Sequence, residues 1–454
     1  MHELDFFDVR MIDGKSTSII LDNGELQEIS VNQSNGMGVR ALYKGYMGFV
    51  SGNACDNKSD IDKAVKSASI LAKGIKRLST PRMSKQRLEK NIELAPFEKK
   101  NIKKIPKVKI NPADISIEDK VEFLKEIERK ASLDEVKSTT VTYFESSAKI
   151  KYNSSEGQEF EYELMRTGIF INAVAIRDGI YQAGFESKAS IGGYELFKKY
   201  DAYELAELAG ISAVELLNAK QAKGGNLPVI LDPALAGVFI HEAVGHAAEA
   251  DLVLEGDSIL KDKIGEKIAS PLMSVIDDPT LYEYGFSPID VEGVESQKTT
   301  IVKDGVLKSY LHSRETASHF KSDPGHSRAQ GISQPLVRMS NTYIDSGDSK
   351  FEEMLEEIKN GLYLIGSRGG QVNTGEGVFQ FNAKKGYVIE NGELKGLLRD
   401  VSLSGNTLEI LDHITMVGDD LTMHSGHCGK GGQTVPVSDG SPHILISKAL
   451  IGGV

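Results

Sequence analysis

The sequence predicts an α+β fold in two lobes. An N-terminal α/β lobe with a mixed sheet and helices is followed by a mostly antiparallel β lobe that carries one histidine-bearing helix. Three observations predict it. Strand-like runs around turn pairs fill residues 5–50. Amphipathic helical spacing follows near residues 61–72, 117–128 and 203–222. Beyond residue 300, short apolar runs alternate with the turn pairs Asp304-Gly305, Asn391-Gly392 and Gly405-Asn406. A chain of 454 residues has room for two large domains or about three ordinary ones. We place the division between an N-terminal α/β domain, 1–222, and a C-terminal domain, 223–454.

In chain order, Ser18 to Leu26 reads as a hairpin around Asn23-Gly24, and a second strand pair surrounds Tyr43 to Gly45. The first strand starts near Asp5. Ser59 and Asp62 form a variant capping box ahead of a helix with apolar positions Ile61, Ala64, Val65, Ala68, Leu71 and Ala72. Residues 81–112 hold four of the 13 prolines, and Arg82 to Lys109 carries ten Lys/Arg against three Glu. That composition reads as a solvated basic connector rather than a grip for an acidic partner. A helix capped at Ser116 presents Ile117, Val121, Leu124 and Ile127. Strands follow at Thr139 to Phe144 and Phe160 to Met165. A helix from Tyr203 to Ala222 ends at Gly224-Gly225. No internal repeat is expected.

Composition narrows the function classes. Hydrophobic residues make up 40% and charged residues 26%, an ordinary globular balance. The net charge of −12 repels phosphate backbones, so no nucleic-acid partner is expected. Two cysteines, Cys55 and Cys428, make no disulfide framework and fit a reducing compartment. The acidic start MHELDFFDVR is no secretory signal. The longest apolar stretch, Leu227 to Ile240, is broken by Asp232 and two prolines, so no membrane span is expected. The expected location is the cytoplasm.

One segment carries chemistry. Leu227 to Leu231 is a short strand, and Asp232-Pro233 then starts a helix with a good N-cap and a proline at its first position. That helix carries His241-Glu242-Ala-Val-Gly245-His246. In the more familiar zinc helix the two histidines stand four residues apart and share a face. Here they stand five apart, about 140° around a regular helix. A π-type bulge between His241 and His246, eased by Gly245, would let both reach one ion. Two neutral imidazoles plus a third protein ligand leave a position for water, whose pKa the ion lowers toward neutrality. Glu242, beside the first histidine, is placed to accept that water's proton.

The third ligand must come from elsewhere in the chain. Cys428 reads as an exposed thiol in a glycine-rich loop near Lys430, a setting that favours a thiolate and so a soft ligand for zinc or iron. His427 and His424 compete for the place. Cys428 as a nucleophile with His427 as base is disfavoured, because adjacent side chains rarely meet.

With these residues in view the chain resembles the TldD branch of the TldD/PmbA metallopeptidase family. The stretches that carry the resemblance are HEAVGHAAEAD (241–251), GHSRAQ (325–330), RMSNTYIDSG (338–347), GGQVN (369–373), VIENGEL (388–394), VGDDL (417–421), CGKGGQTVPV (428–437) and GVRALYKGYMGFVSGN (38–53). The resemblance spans nearly the whole chain. It implies metal ligands at His241, His246 and Cys428, with the general base at Glu242. The PmbA branch lacks this motif, so the chain is similar to the catalytic type. The family works as dimers, either of TldD with a PmbA-type subunit or as homodimers. Its closed channel admits unfolded peptide, held by its backbone as an extended strand. Two departures stand out. The helix that usually precedes the first strand is absent or very short here. His427 also stands where threonine is common.

Further substrate contacts are expected at His326 and Arg328, which could bind carbonyls or an oxyanion. Arg338 and Asn341 fall at a strand start, and Gly369 and Gly370 offer a flat edge for an extended peptide. Asp419 and Asp420 read as loop or capping residues rather than a second metal site. The expected protein is a metallopeptidase acting on short or unfolded peptides. It carries one divalent ion per chain, zinc or alternatively iron. Two other readings stand beside it: a non-catalytic subunit that binds peptide or partner, and a metal-dependent hydrolase of a non-peptide amide.

Overall fold

Two-residue turns build the N-terminal sheet. Asn23-Gly24, Lys44-Gly45 and Asp178-Gly179 hold positive φ at both positions, the twist that suits a tight hairpin. They join β1 (Phe6–Asp22) to β2 (Glu25–Tyr43), β2 to β3 (Tyr46–Asn53), and β5 (Glu159–Arg177) to β6 (Ile180–Ile191). With β4 (Val136–Ser154) these strands form a six-stranded sheet in the order β3-β2-β1-β4-β5-β6. The structure is a computed structural model that describes residues 3–54, 57–78, 91–98 and 105–453. The α+β class holds. The N-terminal sheet, expected to be mixed, is antiparallel in every pairing. Hairpins this tight leave no room for the crossover that a parallel pair needs.

The sheet contains a repeat that the sequence does not announce. β1–β2–β3 followed by α1 (Lys58–Leu78) mirrors β4–β5–β6 followed by α4 (Ala202–Leu217). The two halves meet where β1 pairs with β4. In each half a glycine lets the helix backbone lie on the strand. A Cβ on Gly48 would stand 2.1 Å from Ala68 O, and one on Gly184 would stand 2.1 Å from Ala209 O. The same glycine-to-helix contact thus recurs in both halves.

Helix starts follow local capping chemistry. Ser116 Oγ accepts from Asp119 N at 3.0 Å and opens α2 (Ile117–Ala131), as expected. Leu124, Ile127 and Ala131 of α2 bury against Ile19, Leu21, Val141 and Tyr143. At α1 the cap is Asn57, whose Oδ1 accepts from Asp60 N, rather than Ser59. After the short α3 (Leu196–Lys199), α4 stops at Leu217 rather than Ala222. Asn218 caps it, and β7 (Lys220–Gln221) pairs with the strand Glu393–Arg399. Of the connector expected at 81–112, residues 81–90 and 99–104 lie outside the described residues, as does Cys55.

The C-terminal region holds two main sheets. β8 (Gly225–Leu231) pairs with Asn360–Asn373 and Ile444–Gly453. Pairings through Val401–Asn406 and Val378–Glu390 return to Asn360–Asn373 and close a ring of five strands. Gly405-Asn406, expected as a turn, ends a strand, and Asn406 caps the next helix through Leu408 N. The other sheet runs Val306–Leu307, Thr299–Lys303, Val275–Asp277, Asn341–Ile344, Gln433–Ser441, Thr422–Lys430. Between the two sheets lies α5 (Pro233–Ile240), apolar on all sides and almost wholly buried. Phe239 meets Phe379 with ring centroids 5.3 Å apart. A Cβ on Gly237 would stand 3.0 Å from Gly440 N, so the helix lies tight on the strand Gln433–Ser441. Among the described residues no helix is long and apolar enough to cross a membrane.

Ion pairs join the two lobes, those of Arg40 buried and that of Arg314 open to solvent at Glu156. Arg40 on β2 binds Asp8 on β1 and Glu292 from the C-terminal region, and Tyr152 Oη donates to Asp8 and to Glu292 O. Arg314 binds Glu156 through both Nη atoms. On the other side of the sheet, the outer edge of β6 is held by Arg368, Lys384 and Ser425.

Candidate metal centre

α5 begins where Asp232 Oδ1 accepts from Leu235 N at 2.8 Å and Gly366 N at 2.9 Å. It ends by widening. Residues His241–Gly245 form a π turn, and His246 N–H donates to His241 O, five residues back. The wider turn brings the two imidazoles onto one side, with ring centroids 5.2 Å apart. Gly245 is required for packing here, since a Cβ would stand 1.9 Å from Met339 Sδ and Met339 is fully buried. Gly245→Ala is therefore expected to destabilise the fold by about 1–3 kcal/mol, the usual scale of overpacking. Denaturant unfolding checks this. Full stability would mean that the π turn can move off Met339.

Cys428, expected in an exposed loop, instead lies buried on an edge strand, Thr422–Lys430, 182 residues away from His246, because its sulfur packs inward onto the imidazoles. Its Sγ lies 3.3 Å from His246 Nε2. Donor atoms of His241, His246 and Cys428 all fall within 4.8 Å of one another. Burial alone would oppose a thiolate, but hydrogen bonds to His241 and His246 and their charges bring the thiol down to about 5. Burial likewise disfavours charge on both rings, yet Cys428 raises His241, and Glu249 together with Cys428 raises His246. His241 Nδ1 is buried with no protein partner, and such a group calls for an occupant. Two imidazoles and a thiolate suit zinc or iron.

Groups behind the triad fix it. His246 Nδ1 meets Glu249 Oε2 at 3.0 Å. Lys430 Nζ meets Glu249 at 3.1 Å and Asp251 at 2.7 Å. Arg338 donates to Cys428 O. Glu242, with 28% of its side chain exposed, has its Oε2 3.8 Å from His246 Nε2.

His241 and Glu242 open on a cleft of about 550 Å³ between the lobes, while His246 and Cys428 lie behind its wall. His241, Glu242 and Asp439 line it on one side, with Gly369 and Gly370 nearby. Phe185 to Lys188 of β6 face them. His424 and His427 also line the cleft and stand outside the donor triad. His427 Nε2 pairs with Tyr284 Oη at 3.2 Å, not with Cys428. Burial, and then Lys188 and Lys384, push His424 down to about 4. A second cavity, about 620 Å³ around Phe7, Met11 and Phe160, shares no lining residue with the cleft.

Four expected substrate contacts lie elsewhere. His326 Nδ1 accepts from His312 N, and its Nε2 meets Thr299 Oγ1. Arg328 donates to Met339 O and Pro436 O. Arg338 is spent on Cys428 O and Gln433 O, and Asn341 on Asp278 O and Leu281 O. None of the four lines the cleft. The reason is the irregular backbone they serve: Arg328, Arg338 and Asn341 donate to its buried carbonyls, and His326 accepts from a buried N–H. Asp419 pairs with Lys350 and Asp420 with His443, which fits the loop role expected of them. Glu249 escaped the sequence reading. Its signal was a carboxylate three residues after His246, within helical reach.

The family description "PmbA/TldA metallopeptidase C-terminal domain" matches residues 224–453, with domain 1 at 7–72 and the central domain at 110–217. The chain belongs to the PmbA/TldD metallopeptidase family. An Archaeoglobus fulgidus relative named metalloprotease is 44% identical over 451 residues, covering 99% of each chain. A Saccharolobus solfataricus relative named zinc metalloprotease TldD homolog is 35% identical over 322 residues, 70% of this chain and 72% of its own. The PmbA/TldD fold is also seen in solved structures. TldE from Thermococcus kodakarensis matches with a TM-score of 0.76 at 19% identity, covering 100% of this chain and 98% of its own. A Thermotoga maritima protein described provisionally as a modulator of a DNA gyrase matches with a TM-score of 0.80 at 22% identity, covering 98% and 96%.

Proposed function

We propose that the chain is a metallopeptidase of the TldD type that hydrolyses short or unfolded peptides. One observation carries this reading. Three buried ligand-type side chains converge beside Glu242, which opens on the cleft. His241, His246 and Cys428 would hold one divalent ion, zinc first and iron as the alternative. Such an ion supplies Lewis acidity and a water more acidic than bulk water.

The chain's own residues do the rest. Glu242 accepts the proton of the attacking water and returns it to the leaving nitrogen, as a general base and then a general acid. The open backbone at Gly369 accommodates an extended peptide, since a Cβ there would meet nothing within 4 Å, while Gly370 lies tight on Phe381 of the neighbouring strand. Burial of His241, His246 and Cys428 keeps solvent from competing for them. In this proposal residues 223–454 form the catalytic domain and 1–222 roof the cleft. The protein works in the cytoplasm as a dimer, with a second copy or a PmbA-type subunit.

The test is elemental analysis of the wild type beside His241→Ala. About one zinc or iron per chain is expected, and it is expected to be lost in the variant. A wild type that binds neither added zinc nor added iron would leave a non-catalytic binding subunit as the better account.

A further inference from the structure

Lys430 connects two parts of the site that come from distant stretches of chain. It lies two residues after Cys428 on the strand Thr422–Lys430, and side chains two apart on a strand share a face. Its ammonium reaches Glu249 Oε2 at 3.1 Å, Asp251 at 2.7 and 2.8 Å, and Val337 O at 3.0 Å. An ammonium has three donors; here its hydrogen bonds go to Asp251 and Val337 O, and Glu249 completes the surroundings as an ion pair. Glu249, fully buried, accepts from His246 Nδ1 with the same oxygen that meets Lys430. A buried carboxylate without a countercharge is costly, and Lys430 provides one.

We propose that Lys430 is a positioning residue: through Glu249 it fixes the ring of His246, and through its own strand it fixes Cys428, so that the donor set is assembled before an ion arrives. This rests on the metallopeptidase reading above. With Nδ1–H given to Glu249, His246 turns its Nε2 toward Cys428 Sγ, 3.3 Å away, the side on which an ion would be held. A ring and a strand held this way lose little freedom on binding. Released, both must be ordered by the ion itself, and the affinity falls. Loss of such an outer partner weakens metal binding by about 10–100-fold.

The test uses the full chain, with zinc and cobalt(II) as probes in competition against a chelator. Lys430→Met keeps the side chain's length and apolar stem. Both Lys430→Met and Glu249→Gln are expected to weaken zinc binding about 10–100-fold. The double variant is expected to be little worse than the weaker single, because the two residues act as one unit. Lys430→Arg is expected to recover most of the affinity. Thiolate-to-cobalt charge transfer per bound ion is expected to persist in every variant, since Cys428 remains. A folded Lys430→Met chain that binds zinc within about twofold of wild type overturns the proposal. If that variant does not fold, Asp251→Asn loosens the lysine from one side and is expected to show a smaller loss in the same direction. Unchanged affinity there overturns it equally. A wild type that binds neither ion removes the metallopeptidase reading, and this proposal with it. Stoichiometric metal in the wild type with no change in the variants removes this proposal alone.

Discussion

Glu242→Gln is expected to keep its metal and lose its turnover. The substitution preserves shape and removes only the ability to accept a proton. Glu242 stands outside the donor triad of His241, His246 and Cys428, so metal content should stay at the wild-type level. Its side chain is partly exposed, so folding should be nearly unaffected. General acid–base catalysis is worth about 10²–10⁴ in rate, or about 3–5 kcal/mol of barrier. The loss should fall on kcat, with KM for an unstructured peptide little changed, because a group used only in the transition state contributes little to ground-state binding. Peptide kinetics and elemental analysis on one preparation decide it. A metal-loaded variant with wild-type kcat would take Glu242 out of proton transfer. Attention would then move to Asp439 on the same cleft wall, whose carboxyl burial pushes up to about 6.

What the sequence revealed was mostly local. Ser116 and Asp232 cap helices because a short polar side chain reaches the next backbone N–H groups, an interaction contained within four residues. The Asn23-Gly24 hairpin is equally local. So is the π turn, since five-residue spacing between two histidines leaves few other ways to put them on one side. Longer-range features were harder to read. The convergence of Cys428 on His246 depends on a strand 182 residues away; local chemistry offered Cys428 beside His427 and His424, and the family resemblance singled it out. His326, Arg328, Arg338 and Asn341 have the residue types of a substrate site. Whether a polar side chain faces a cleft or its own backbone is a property of the packed fold, and these four face backbone or one another's neighbours. The repeated strand order of the N-terminal sheet escaped notice because it shows as two equivalent glycine–helix contacts, at Gly48 and Gly184, rather than as repeated text.

Cys428→Ser separates two chemistries that the same geometry permits. Cys428 Sγ, His246 and Glu249 stand in line, with 3.3 Å from sulfur to Nε2 and 3.0 Å from Nδ1 to the carboxylate. A thiol, imidazole and carboxylate in that order can also form a cysteine nucleophile with its base. Burial favours the ligand role, since Cys428 is 3% exposed. A nucleophile must reach a substrate carbonyl, whereas a ligand needs only an ion beside it. The second imidazole points the same way. His241 brings its donor within 4.8 Å of the other two, and a nucleophilic pair has no use for it. The expected result is that Cys428→Ser weakens metal binding by more than the roughly 10–100-fold that an outer partner is worth, because a soft anionic ligand becomes a neutral hydroxyl. Chelation should silence the wild type, and added zinc or iron should restore it. A chelator-resistant wild type, with Cys428→Ser inactive yet still metal-loaded, would instead make the sulfur the attacking atom.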